Sequence, residues 1–132
     1  MAIKVFLSFR NDDTGDFAQA LHDFITHRLQ FSCDVGGQDI VPGTPWRDSL
    51  AGKIAESHVF IPVIGSAWES GSGNRNIHDK NDVIRFEIEQ ALNGPKRVLP
   101  LLVDRPALKP KDLPESLQPL TELHSVDRKS VV

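Results

Sequence analysis

The chain has 132 residues, a common size for one domain, and 39% of them are hydrophobic, enough for one core and too many for a mainly disordered chain. Fifteen Lys and Arg stand against 18 Asp and Glu, mixed along the sequence for a net charge of −3, with no basic run of the kind a nucleic-acid interface uses. A single cysteine, Cys33, excludes an intrachain disulfide. The N-terminal residues turn polar too soon for a signal peptide, and no apolar run approaches a membrane span, so a cytoplasmic protein without nucleic-acid or membrane partners is expected.

Residues 3–8 form a short apolar run rich in β-formers and predict a buried first strand. A turn over residues 9–13 follows, and Thr14 is positioned to cap a helix in which Phe17, Ala20, Leu21, Phe24, Ile25 and Leu29 recur at helical spacing. Residues 31–35 predict a second strand. Three glycines and two prolines punctuate residues 36–45, which must be a loop. A helix is expected over residues 46–56, with Leu50, Ile54 and Ala55 inward.

Residues 59–64 are the clearest buried strand. Pro62 lies within it and predicts a bulge or an unpaired side, because proline donates no ladder hydrogen bond. Residues 66–80 read as a loop, with Trp68 packed beneath it. Residues 81–92 follow helical periodicity and stop at Asn93-Gly94-Pro95. At 100° per residue, Ile84, Ile88, Ala91 and Leu92 make an apolar stripe; Glu87 falls on its edge, on the Val83 side, while Phe86 points away. A carboxylate there suits a catalytic acid or charge stabiliser, or is an ordinary partly exposed helix glutamate. Residues 97–103 predict another strand, interrupted by Pro100. A proline-rich connection with one helical turn near Glu115 leads to a last strand over residues 122–126.

Continuously apolar strands separated by helices indicate an α/β protein with a parallel sheet covered on both faces. Ligands of such sheets bind beyond the C-terminal strand ends, where the turn after the first strand and the start of the Glu87 helix are expected. The common ligand loops are missing. The first turn, Ser8-Phe9-Arg10-Asn11, holds no glycine, so neither a dinucleotide fingerprint nor a flavodoxin phosphate loop fits. No P-loop or G-x-S-x-G elbow is present. A phospho-receiver would need an aspartate after the third strand, where the chain reads Gly65-Ser66-Ala67-Trp68. Five scattered histidines give no metal site, and Cys33 reads as a small buried hydrophobe.

The order of segments nevertheless resembles that of Toll/interleukin-receptor (TIR) domains, bacterial type. Val5-Phe6-Leu7-Ser8-Phe9-Arg10 resembles the family's first box, and Asp39-Ile40-Val41-Pro42-Gly43-Thr44-Pro45-Trp46 its second. The segment from Val59 to Trp68 looks like the third strand of bacterial members. Asp82-Val83-Ile84-Arg85-Phe86-Glu87 resembles the helix that carries the catalytic glutamate in enzymatic members, and Val98-Leu99-Pro100-Leu101-Leu102-Val103-Asp104, followed by Leu113-Pro114, completes the set. Five boxes in order, over nearly the whole chain, make the resemblance specific.

It implies a flavodoxin-like three-layer fold, with a five-stranded parallel sheet and helices on both faces, as one domain over residues 1–132, whether whole or excised from a longer protein. It implies one of two jobs. The first is cleavage of NAD+ as a substrate, with no cofactor, to nicotinamide and ADP-ribose or a cyclic ADP-ribose isomer, in signalling or immune defence. The second is non-catalytic assembly with other TIR domains. For the enzyme, the resemblance assigns Glu87 as the catalytic residue and Phe9, Arg10, Gly43, Trp46, Asp82 and Val83 to the substrate site. Val83 departs from the aromatic residue many enzymatic members carry there. Self-association is expected through the loop of residues 36–45 and through Phe86.

Overall fold

The computed structural model describes residues 3–36, 45–70 and 76–129. Its strands are β1 (Lys4–Ser8), β2 (Ser32–Val35), β3 (Val59–Ile64), β4 (Arg97–Val98), β5 (Leu101–Val103) and β6 (Val126–Arg128). All pairings are parallel, in the order β2-β1-β3-β5-β6, with β4 alongside the first half of β3.

β4 and β5 occupy one strand position. Val59 pairs with Arg97 and Phe60 with Val98, then Val63 with Leu101 and Ile64 with Leu102. The register is the same on both sides of the gap, so Pro62 falls opposite Pro100. Two residues without an N–H face each other, and the ladder opens between them. This is the unpaired side expected from Pro62, and five strand positions remain.

The main helices are α1 (Asn11–Asp23), α2 (Trp46–Glu56) and α3 (Val83–Leu92). α2 and α3 pack on one face of the sheet with the 3-10 segment Glu115–Glu122. Leu50, Ile54, Ile84, Ile88, Ala91, Leu117 and Leu120 meet Phe6, Phe60, Ile64 and Leu102 there. The Phe6 and Phe60 rings stack at 5.4 Å across paired strands. On the other face, Ala18 and Ile25 cover Val5, Leu7, Phe9 and Val63. β1 thus serves both layers: alternate residues point to opposite faces, so Phe6 and Ser8 look toward α3 while Leu7 and Phe9 look toward α1. This is the three-layer arrangement the sequence predicts.

Several local expectations are corrected. α1 starts at Asn11, ahead of Thr14, which is buried inside the helix at non-helical φ −129°, ψ 22° and marks a kink. Asp13 explains the early start. Its carboxylate accepts from the N–H groups of Gly65 (2.9 Å) and Ala67 (3.0 Å), pinning the first turn to the end of β3. After Asp23 the helix widens into a π-turn over Phe24–Arg28, with Leu29 N–H donating to the Phe24 carbonyl. The wider turn rotates the following residues off the inward stripe. Ile25 stays buried, while Phe24 and Leu29 are exposed, as is Ala20 on the outer face. α2 has the expected span, but Ala55 faces outward. The second strand starts at Ser32, one residue later than expected. The last strand is Val126–Arg128, because Glu122 still belongs to the 3-10 segment.

Candidate functional site

The C-terminal ends of β1, β2 and β3 meet the start of α3, and Glu87 lies at this junction. α3 begins where Asp82 takes extended backbone angles and its side chain accepts from the Arg85 N–H at 3.1 Å, an N-cap bond. Ile84, Glu87, Ile88 and Ala91 are its buried residues. Their spacing is i, i+3, i+4, i+7, so Glu87 occupies a full core position and not the rim. The buried arc turns toward Glu87, leaving Leu92 only partly covered. Glu87 is therefore not a partly exposed helix residue: its relative exposure is 0%.

Among the described residues the carboxylate has one donor. Ser8 Oγ donates to Oε1 at 2.8 Å, and Oε2 has no hydrogen-bond partner among the described residues. Above it lies Gly36. Its N–H continues the β1–β2 ladder onto the Leu7 carbonyl at 3.0 Å, which brings the Gly36 α-carbon against Glu87. A Cβ at Gly36 would overlap Oε2, so only glycine fits with Glu87 in this rotamer. Burial pushes the Glu87 pKa up to about 8; the Ser8 hydrogen bond opposes the rise, Asp82 adds to it and Arg10 opposes it.

Arg10 leaves β1 on the same face as Ser8, and it is not a solvated surface charge. Its side chain is 3% exposed, and that of Asp82 is 2% exposed. The guanidinium grips Asp82 with two parallel bonds, NH1 to Oδ1 at 2.9 Å and NH2 to Oδ2 at 2.8 Å, and its Nε donates to the Trp68 carbonyl at 2.6 Å. Trp68 is fully buried in the core of the α3 face.

The structure thus brings Glu87, Arg10 and Asp82 together with Ser8 and Gly36. Phe9 is not part of that group; it packs into the core of the α1 face. Val83 is half-buried at the rim of the α3 cluster. Trp46, the first residue of α2, packs edge-on against Phe86 at 5.4 Å and 76°, with the Arg47 guanidinium 4.2 Å from the Trp46 ring. Phe86 is consequently half-buried between helices and not exposed as its helical position suggests. Gly43 and residues 37–44 of the expected assembly loop lie outside the described residues.

Ser8 and Gly36 were not singled out from the sequence. Strand parity with Phe6 is the signal that could have found Ser8. For Gly36, a glycine at the exit of an edge strand gives no local hint of a long-range partner. Half-burial, then the Asp34 charge, push the Cys33 thiol up to about 11, so it is a protonated packing group. Among the described residues, no three of His, Cys, Asp and Glu are placed to hold a metal ion, and no helix is long and apolar enough to cross a membrane.

The chain is similar in structure to the TIR domains of the activated Roq1 resistosome that directly recognises the pathogen effector XopQ. The TM-score is 0.64 at 20% identity, over 92% of this chain and 70% of that one. It is also similar to a metazoan TIR-STING receptor from C. gigas in complex with 2',3'-cGAMP. There the TM-score is 0.62 at 22% identity, over 96% of this chain and 35% of that one. At these identities the likeness speaks to the fold. No curated protein matches the chain. The sequence profile of the TIR domain family matches residues 5–130, and the chain belongs to that family.

Proposed function

We propose that this TIR domain is an NAD+ nucleosidase, cleaving the bond between nicotinamide and ribose, with Glu87 as the catalytic carboxylate. The observation that carries the reading is a glutamate in a full core position of α3, at the C-terminal edge of the sheet, held by Ser8 with one oxygen unpartnered among the described residues. An uncompensated buried carboxyl costs stability, and its presence in a core position is the mark of a functional constraint.

The chemistry suits one carboxylate. Nicotinamide departs as a neutral molecule from a cationic pyridinium, so the leaving group needs no proton. The ribose develops oxocarbenium character, as in glycoside cleavage. Ionised Glu87 would stabilise that charge and accept from the ribose hydroxyls. Attack by water gives ADP-ribose; attack by the substrate's own adenine gives a cyclic isomer. Val83, Asp82 and the residues around Gly43 and Trp46 would border the substrate, with Val83 offering apolar area without a stacking face. The protein acts in the cytoplasm as a self-associating unit.

One observation favours a second reading, a non-catalytic TIR–TIR interaction module. Gly36 covers the Glu87 carboxylate, and a carboxyl with a pKa of about 8 is largely protonated at neutral pH.

The experiment is nicotinamide release from NAD+ at high protein concentration, for wild type and Glu87→Ala side by side, with assembly followed by light scattering. Release by wild type alone supports the enzyme. Silence from an assembled wild type supports the module, and equal release from both removes Glu87 from the mechanism.

A further inference from the structure

We propose that Arg10 and Asp82 are a positioning device for Glu87 and not ligands of a substrate phosphate. This rests on the NAD+-cleaving reading only where rates are measured. One guanidinium ties three segments together. Its fork holds Asp82, its Nε edge holds the Trp68 carbonyl after β3, and its own backbone is the exit of β1. Asp82 in turn caps α3 through the Arg85 N–H. Glu87 lies five residues along α3, about 7.5 Å of helix rise, so any movement of the cap is passed to its carboxyl through a single rigid element.

A phosphate group reaching for Arg10 would have to displace Asp82. That would leave a carboxylate of 2% exposure without its counterion, an unfavourable exchange. Both members of the pair also act on Glu87 through space, with opposite signs. Among the described residues, the other elements packed on α3 bring no competing charge to the Glu87 carboxyl. β1 presents the neutral Ser8, and the end of β2 presents the Gly36 backbone. On α2, Arg47 is held on Asn81. On the 3-10 segment, Ser116 Oγ donates to Glu89, which also holds Arg85.

The test is a ¹³C NMR titration of the Glu87 side-chain carboxyl, assigned with Glu87→Gln. It is run on wild type, Arg10→Lys, Arg10→Met, Asp82→Asn and the double variant Arg10→Met/Asp82→Asn. Asp82→Asn is expected to lower the Glu87 midpoint and Arg10→Met to raise it, each by about one pH unit, the scale for a neighbouring charge. The double variant should lie between them. Arg10→Lys, which keeps the charge and loses the fork, should hold the midpoint near wild type while moving the amide resonances of the first turn of α3. If Arg10→Met does not fold, Arg10→Lys and Asp82→Asn decide the matter. An unmoved midpoint in Asp82→Asn or in Arg10→Met, shifts of the same sign in those two, or a large shift in Arg10→Lys overturns the proposal.

A rate arm separates the two roles of Arg10. A positioning residue impairs cleavage of NAD+ and of phosphate-free nicotinamide riboside alike, mostly in kcat. A phosphate ligand impairs NAD+ alone, mostly in KM, and that result would also overturn the proposal. If neither substrate is cleaved by wild type, the enzymatic reading fails while the titration still judges the pair.

Discussion

The α-carbon of Gly36 rests on the carboxylate of Glu87, leaving no room for a side chain between the exit of β2 and the second turn of α3. The contact joins an edge strand to a buried helix face across more than fifty residues of chain. Gly36→Ala should therefore push either Glu87 off its Ser8 hydrogen bond or the strand exit off the Leu7 carbonyl. Overpacking of this kind costs about 1–3 kcal/mol. Urea denaturation at neutral pH measures it, and a variant as stable as wild type would show that the two groups separate freely.

Glu87→Gln tests the carboxyl's titration. An acid whose folded pKa is raised from 4.5 to about 8 binds its proton more tightly in the native state. Its stabilising contribution is complete below pH 4.5 and is lost as pH rises through about 8, because the unfolded chain sheds the proton first. Wild type should weaken relative to Glu87→Gln across that window, by an amount on the order of a few kcal/mol. Stability curves at pH 5, 7 and 9 give the difference directly, with titrating groups not coupled to Glu87 cancelling. A flat difference would mean that Glu87 is ionised in the native protein at neutral pH.

The layers of this fold were legible because they depend on local pattern. Apolar runs marked every strand but the last, α2 emerged with its observed ends, and Pro62 announced a ladder gap that Pro100 completes. What escaped depends on distant partners. Asp13 recruits two N–H groups of the turn after β3, so α1 begins before Thr14. The π-turn at Phe24–Arg28 adds no residue type that periodicity can flag. At the site, the helical wheel put Glu87 on a rim because a charged residue was not counted as core. The burial of Arg10 was invisible because Asp82 lies 72 residues away.

Trp46 and Phe86 offer a test of how α2 and α3 are held together. Their rings meet edge to face at 5.4 Å. A double-mutant cycle with Trp46→Leu and Phe86→Leu should return a coupling of about 0.5–1.5 kcal/mol, the range for aromatic pairs beyond their area burial. Light scattering on the same proteins asks whether Phe86 also serves self-association. A loss of assembly without loss of stability in Phe86→Leu would give it a second role; additive stabilities in the cycle would deny the ring contact.

Asp13 carries the last prediction. Its two oxygens take the Gly65 and Ala67 N–H groups, and a Cβ at Gly65 would meet the same carboxylate. Asp13→Asn keeps one acceptor oxygen but turns the other into a donor facing an N–H group, so it should destabilise more than simple charge loss suggests. Hydrogen bonds to charged groups contribute about 1.5–3 kcal/mol each, so a cost of about 2 kcal/mol is expected for Asp13→Asn, which loses one bond, and of about 3 kcal/mol or more for Asp13→Ala, which loses both. Because the bonds fasten the start of α1 to the end of β3, the damage should be local. Amide exchange at Gly65 and Ala67 should accelerate well before the rest of the sheet opens. Unchanged exchange at those two amides would place the start of α1 under some other restraint.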